Sequence, residues 1–224
     1  MTRGGTRSSG DLGLAAPVPS GSASTSGTRE ERKARTHRAL LDAALEISAE
    51  HGFAGTSLRS VTKAAGIVPT AFYRHYASMD ALGETLVDES FTTLRGMMRA
   101  IRSEGIEASE LIVGSVDLMG QWVHDHEAQF QFIVRERSGG SAAVRTSVQR
   151  QLRMFVSELA TDLLVFPALR HWVERDRYLL AEVLVNLVVT TVERLIAARE
   201  PADVVLGESR RQLRMVTMGL DQWR

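Results

Sequence analysis

The chain has 224 residues, with 27 Lys and Arg against 27 Asp and Glu and no cysteine. That length holds one small domain and one medium one; zero net charge argues against a broad electrostatic nucleic-acid binder, and the missing cysteines remove disulfides and thiolate metal or redox chemistry. No apolar run approaches a membrane span and no continuous apolar segment follows the first arginines, so a cytoplasmic protein without membrane association is expected.

Residues 1–28 hold six Ser and six Gly and show no periodicity, the composition of a disordered arm. From Arg29 to His51 a charged start leads into Leu41, Ala44, Leu45 and Ser48 on one helical face, and Gly52 ends the helix. The run from Thr56 to Tyr76 follows. Leu58, Val61 and Ala65 recur at helical spacing, Gly66 interrupts, and Ile67, Phe72 and Tyr76 resume the pattern. Gly66 suits a left-handed closure of one short helix and Pro69 the first turn of the next, so two helices meet at a tight turn. Thr56 or Ser57 is placed to cap the first of them. Residues 29–80 carry eight Lys and Arg against six Asp and Glu, a surplus too small to bind DNA without well-placed contacts.

The run Ser57-Leu58-Arg59 through Ala65-Gly66-Ile67 to Ala71-Phe72-Tyr73-Arg74-His75-Tyr76 resembles the DNA-binding domain of TetR-type transcriptional regulators. The resemblance implies an all-α protein: a three-helix helix-turn-helix domain over 29–78 and a helical ligand-binding and dimerisation domain over 79–224. It also implies phosphate contacts at Thr56 and Arg59, with Pro69, Thr70, Ala71, Tyr73, Arg74 and His75 as the surface turned to DNA and Phe72 and Tyr76 facing inward. Val68 and Met79 depart from the family, where a polar residue and a lysine are common, which removes one helix cap and one phosphate contact. A narrower likeness, to the FabR and DesT repressors of unsaturated fatty acid synthesis, comes from Gly66-Ile67-Val68-Pro69-Thr70, Leu86-Val87-Asp88-Glu89-Ser90 and Arg135-Glu136-Arg137-Ser138-Gly139.

Asp80 is a candidate N-cap for a long helix to about residue 102 that joins the two domains. Beyond Gly105 the pattern is helical throughout, at roughly 107–124, 127–137, 140–164, 173–199 and 203–222. Apolar residues on the connecting helix, Met97 and Ile101, and beyond it, among them Met119, Trp122, Phe130, Ile133 and Phe155, either line a cavity or fill a solid core, and the family likeness favours the cavity. Arg135 and Arg137 stand beside a glycine-rich turn that opens a helix. The likeness to the acyl-CoA-sensing branch implies that they are candidates for the phosphates or pantetheine of CoA; the residues alone fit equally an ordinary charged helix end capped by Ser138 or Ser141. His124-Asp125-His126-Glu127 straddles a break and does not make a metal site, and no nucleophile elbow, catalytic triad spacing or phosphate loop appears. The expectation is therefore neither an enzyme nor a cofactor protein. The last two helices are too apolar for two exposed faces and predict a homodimer, hence a palindromic double-stranded operator. The implied effector is a hydrophobic small molecule, in first place a long-chain acyl-CoA governing lipid genes; the alternative is a drug-like ligand governing efflux genes.

Overall fold

The computed structural model describes residues 28–103 and 108–220, without the side chains of 97–115. Met97 and Ile101 thus lie outside the described side chains, as do the first 27 residues. The described residues contain no strand. Helix α1 (Arg29–His51) opens on a capping box, in which Thr28 Oγ1 accepts the Glu31 N–H at 3.2 Å and the Glu31 carboxylate accepts the Thr28 N–H at 2.7 Å. A short 3-10 turn, Phe53–Gly55, leads to α2 (Leu58–Ala64) and α3 (Pro69–Phe72). The long connecting helix α4 (Met79–Ser103) follows, then α5 (Ala108–Asp125), α6 (Glu127–Ser138), α7 (Ala142–Asp162), α8 (Glu174–Ala197) and α9 (Ala202–Met218).

The start of α4 corrects one expectation. Asp80 lies inside the first turn, and the cap is Ser78, whose Oγ accepts the Ala81 N–H at 3.1 Å. Asp80 contributes instead as an acidic residue near the positive end of the helix.

The core is not divided where the sequence suggested a domain boundary. One cluster runs from Leu40, Leu41 and Ala44 on α1 through Val61, Phe72 and Tyr76 to Leu82, Leu86, Val87 and Phe91 on α4. It continues without a break into Phe132 and Ile133 on α6 and Val144 and Val148 on α7. The N-terminal helices therefore share their hydrophobic interior with the middle of the second domain. Two further clusters stabilise the remainder, one around Leu163, Leu169, Trp172, Leu180 and Ala181, the other around Val116, Met119, Val123, Phe130 and Val192.

Polar links add register to this apolar packing. Gln151 on α7 donates to Asp88 at 2.5 Å and accepts from Arg95 at 2.9 Å, and Arg95 also pairs with Glu158 at 2.9 Å, which ties α4 to α7. Arg137 joins α6 to α8 through Glu193 at 2.7 Å, and the buried hydroxyls of Thr191 and Ser209, 2.7 Å apart, join α8 to α9. Among the described residues no helix is long and apolar enough to cross a membrane.

Candidate nucleic-acid interface

Helix α2 is fixed at both ends by its own sequence. Ser57 is its cap: its hydroxyl accepts the Ser60 N–H at 3.1 Å, and Ser60 Oγ accepts the Ser57 N–H at 3.1 Å. Thr56 is 8% exposed and donates its hydroxyl to the Gly52 carbonyl at 3.0 Å. Its side chain therefore braces the turn before α2, a role different from the phosphate contact expected of it. At the other end Gly66 has φ +68°, its N–H reaches the Lys63 carbonyl at 3.2 Å, and the Ile67 N–H reaches the Thr62 carbonyl at 3.0 Å. This pair of bonds is the Schellman closure, which needs a left-handed residue at Gly66.

Helix α3 is short. Pro69 occupies its first position, no side chain caps it, and the chain turns through Tyr73, Arg74 and His75 before straightening. Two buried rings hold this segment down. Phe72 is packed in the core with its centroid 5.7 Å from that of Tyr76, and Tyr76 stacks on His37 of α1 at 5.0 Å. The Tyr76 hydroxyl lies 3.2 Å from His37 Nε2. Burial first, and then the charge of Glu89, holds the Tyr76 phenol well above its ordinary pKa, so it stays neutral. His37 was missed by the sequence reading. The available signal was a tyrosine at a core position, which demands a partner for its hydroxyl, and a histidine four residues before Leu41 on the buried face of α1.

With the rings turned in, Pro69, Thr70, Tyr73 and Arg74 are exposed, Tyr73 to 62%, while Ala71 and His75 are half-buried. Val68, at the cap position, is 64% exposed, so the missing polar residue leaves an apolar spot on the same surface. Arg59 and Lys63 on α2 are exposed as well. Desolvation lowers the His75 pKa, and the nearby His37, Lys33 and Arg74 lower it further. The start of α1 thus brings Lys33 close enough to act on the α3 turn, and the surface gathers positive charge out of a neutral chain. His75 Nδ1 is buried without a hydrogen-bond partner. Exposed donors around a short helix are the groups that can reach base edges and phosphates in a DNA groove.

The residues expected around an effector are more scattered. Met119 and Phe130 are buried in one cluster, with Trp122 packed beside them and stacked on His126 at 4.9 Å. Ile133 belongs to the shared N-terminal core, and Phe155 packs between that core and the next. None of these borders the half-open cavity of about 280 Å³ between α1, α4 and α6, whose lining includes Arg38, Asp42, Glu89 and Gln129. Arg135 and Arg137 are engaged elsewhere: Arg135 donates to the Ser48 and Ala49 carbonyls at the end of α1, and Arg137 holds Glu193. The Glu136 side chain of α6 is packed against Gly140 in the turn beside them and occupies that space. Among the described residues no group of three His, Asp or Glu gathers to hold a metal.

The fold is shared with known regulators. A TetR-like transcriptional regulator from Rhodococcus sp. RHA1 superposes with a TM-score of 0.64 at 19% identity, covering 82% of this chain and 96% of that one. The regulator FadR from Bacillus subtilis, solved in complex with stearoyl-CoA, gives 0.66 at 16% identity over 82% and 98%. The fatty acid degradation regulator FadR from Bacillus halodurans gives 0.63 at 14% over 80% and 94%. At the sequence level, the family model for bacterial regulatory proteins of the tetR family matches residues 40–86, and that for a tetracyclin repressor-like C-terminal domain matches 109–219. Together these two matches span most of the chain, which belongs to the TetR family of DNA-binding transcriptional regulators.

Proposed function

We propose that this regulator is a homodimeric cytoplasmic repressor of lipid genes, paired through α8 and α9, that reads a palindromic operator and is set by a long-chain acyl-CoA, as in the FabR and DesT branch its sequence resembles. The observation that carries the DNA half is the surface of Thr70, Tyr73 and Arg74 held outward by the buried Phe72 and Tyr76. Thr70 and Arg74 supply base-edge contacts; Arg59, Tyr73 and His75 grip phosphates. Pro69 and Ala71 keep the backbone close. A twofold dimer presents this surface twice, at half-sites about 34 Å or a small multiple apart. Replacing Arg74 by Ala is expected to cost about 1–3 kcal/mol of specific affinity in a gel-shift titration. Equal weakening on all sequences would mark Arg74 as a phosphate contact.

The fold shared with the stearoyl-CoA-bound FadR supports the acyl-CoA half, together with the apolar cluster of Met119, Trp122 and Phe130. A dozen buried methylenes contribute roughly 10 kcal/mol, so affinity is readily available, and discrimination between chains must come from the shape they impose. Met119 is the residue best able to make room, since an unbranched thioether repacks cheaply. Thermal-shift titration with oleoyl-CoA, palmitoyl-CoA and a cationic dye tests this reading. Stabilisation by either thioester supports it; a response to the dye alone moves the protein to the drug-ligand class.

A further inference from the structure

We infer that Glu136, with its neighbour Arg135, is a positioning element by which the second domain holds the DNA reader in place, a link separate from the connecting helix α4. The inference rests on DNA binding by the α2–α3 surface and on no particular effector.

Glu136 is 2% exposed, and one of its carboxylate oxygens accepts the N–H of Phe53 at 2.9 Å across 83 residues of sequence. Its other oxygen is buried without a hydrogen-bond partner. It is pressed against Gly140, where an added Cβ would stand 1.5 Å from it. Arg135, one residue earlier, donates to two carbonyls of the last turn of α1, that of Ser48, which also accepts the Gly52 N–H at 2.8 Å, and that of Ala49. The two side chains thus take hold of the same spot from both polarities, one donating to carbonyls at the helix end and the other accepting the N–H of the residue just past the Gly52 cap.

That spot leads directly into the reader. The Phe53 carbonyl accepts the Thr56 N–H at 3.0 Å, the Thr56 hydroxyl returns to the Gly52 carbonyl at 3.0 Å, and Ser57 caps α2. No flexible link intervenes between the Glu136 carboxylate and the first turn of α2. The Phe53 ring continues the connection on the apolar side, edge-on to Phe132 of α6 at 6.1 Å. Stability alone does not account for the choice of residue, because a buried carboxylate with one idle oxygen is costlier than an apolar side chain of the same size. Its service is to fix where Phe53, and with it α2, sits relative to α6.

Hydrogen exchange on the full-length protein tests this, alone and with a duplex of the DNA upstream of its own gene. In the free protein the Phe53 amide should be protected, should exchange at least about tenfold faster in Glu136→Leu, and should stay protected in Glu136→Gln, which keeps an acceptor. With DNA, exchange in the wild type should slow at α2–α3 and also, by about fivefold, at Arg135–Ser138, since coupling is reciprocal. In Glu136→Leu the slowing at α2–α3 should persist and that at α6 should vanish. An unchanged α6 response in the Leu variant overturns the inference, as does a wild type in which DNA protects α2–α3 and leaves α6 untouched. If DNA protects neither region, the DNA reading of this surface fails instead, and the Phe53 amide decides the contact by itself. Should the Leu variant not fold, Arg135→Gln, at an exposed position, takes its place, and an α6 response equal to wild type then counts against the proposal.

Discussion

Single residues in the reader trade stability against the surface they present. Val68 holds the cap position of α3 without a hydrogen-bonding side chain; Pro69 has no N–H to cap, and the Ala71 N–H reaches only the Val68 carbonyl, at 2.9 Å. Val68→Ser should stabilise the protein by about 1 kcal/mol in urea unfolding, because serine supplies the missing acceptor and the site is exposed enough to take it without repacking. His75 works in the opposite direction. Its folded pKa lies below the unfolded value of 6.5, with desolvation the largest cause. Above 6.5 both states are neutral at this group and it contributes nothing to the pH dependence. As pH falls through 6.5 the unfolded chain takes up the proton first, so stability is lost until the folded pKa is passed. Binding a phosphate favours the charged ring, so DNA affinity should rise over the same window while the free protein loses stability. Parallel melting and gel-shift series between pH 7.5 and 5.5, with His75→Gln as control, check both slopes; if the control reproduces them, His75 is not their source.

At the scale of elements, the turn between α2 and α3 rests on one backbone conformation. A Cβ at Gly66 would meet nothing within 4 Å, so Gly66→Ala isolates the cost of a left-handed alanine, about 1–2 kcal/mol, with no steric contribution. A melting curve that moves by much more would mean the Schellman closure itself had opened. This turn could be read from sequence because its signals are local: Gly66, Pro69 and the apolar spacing lie within a few residues of each other. The ends of α1 at Gly52, of α6 at Gly139 and of α8 before Pro201 were legible for the same reason, periodicity broken by Gly or Pro. Contacts between residues far apart along the chain were not legible. Glu136 looked like part of a charged helix end, yet its contact is Phe53; Arg135 and Arg137 looked available for phosphates, yet their partners are the end of α1 and Glu193. Thr56 and Ser57 were equivalent candidates for one cap, and only the burial of Thr56 against Gly52 separates them. For Ile133 and Phe155, periodicity gives an inward face without saying which core they enter.

For the whole molecule, the dimer proposed through α8 and α9 would cover exposed apolar side chains. Leu179, Val183 and Val188 on α8 and Val204, Met215 and Met218 on α9 are exposed, the two methionines to 71% and 74%. Burying such a face against its twofold copy gives the four-helix arrangement expected of a dimer, and the pairing is isologous, so one substitution acts twice across the interface. Met215→Glu with Met218→Glu should therefore shift the protein from dimer to monomer in sedimentation velocity, because like charges meet across the symmetry axis and lose water there. The monomer's own core should be unaffected, since neither methionine is buried in it, and circular dichroism should show the helices intact. In the proposed dimer, which holds the operator through two readers, DNA binding should fall by far more than the loss of one contact explains. A double variant that remains dimeric would place the interface elsewhere on the molecule; one that becomes monomeric with undiminished operator affinity would show that each reader acts alone.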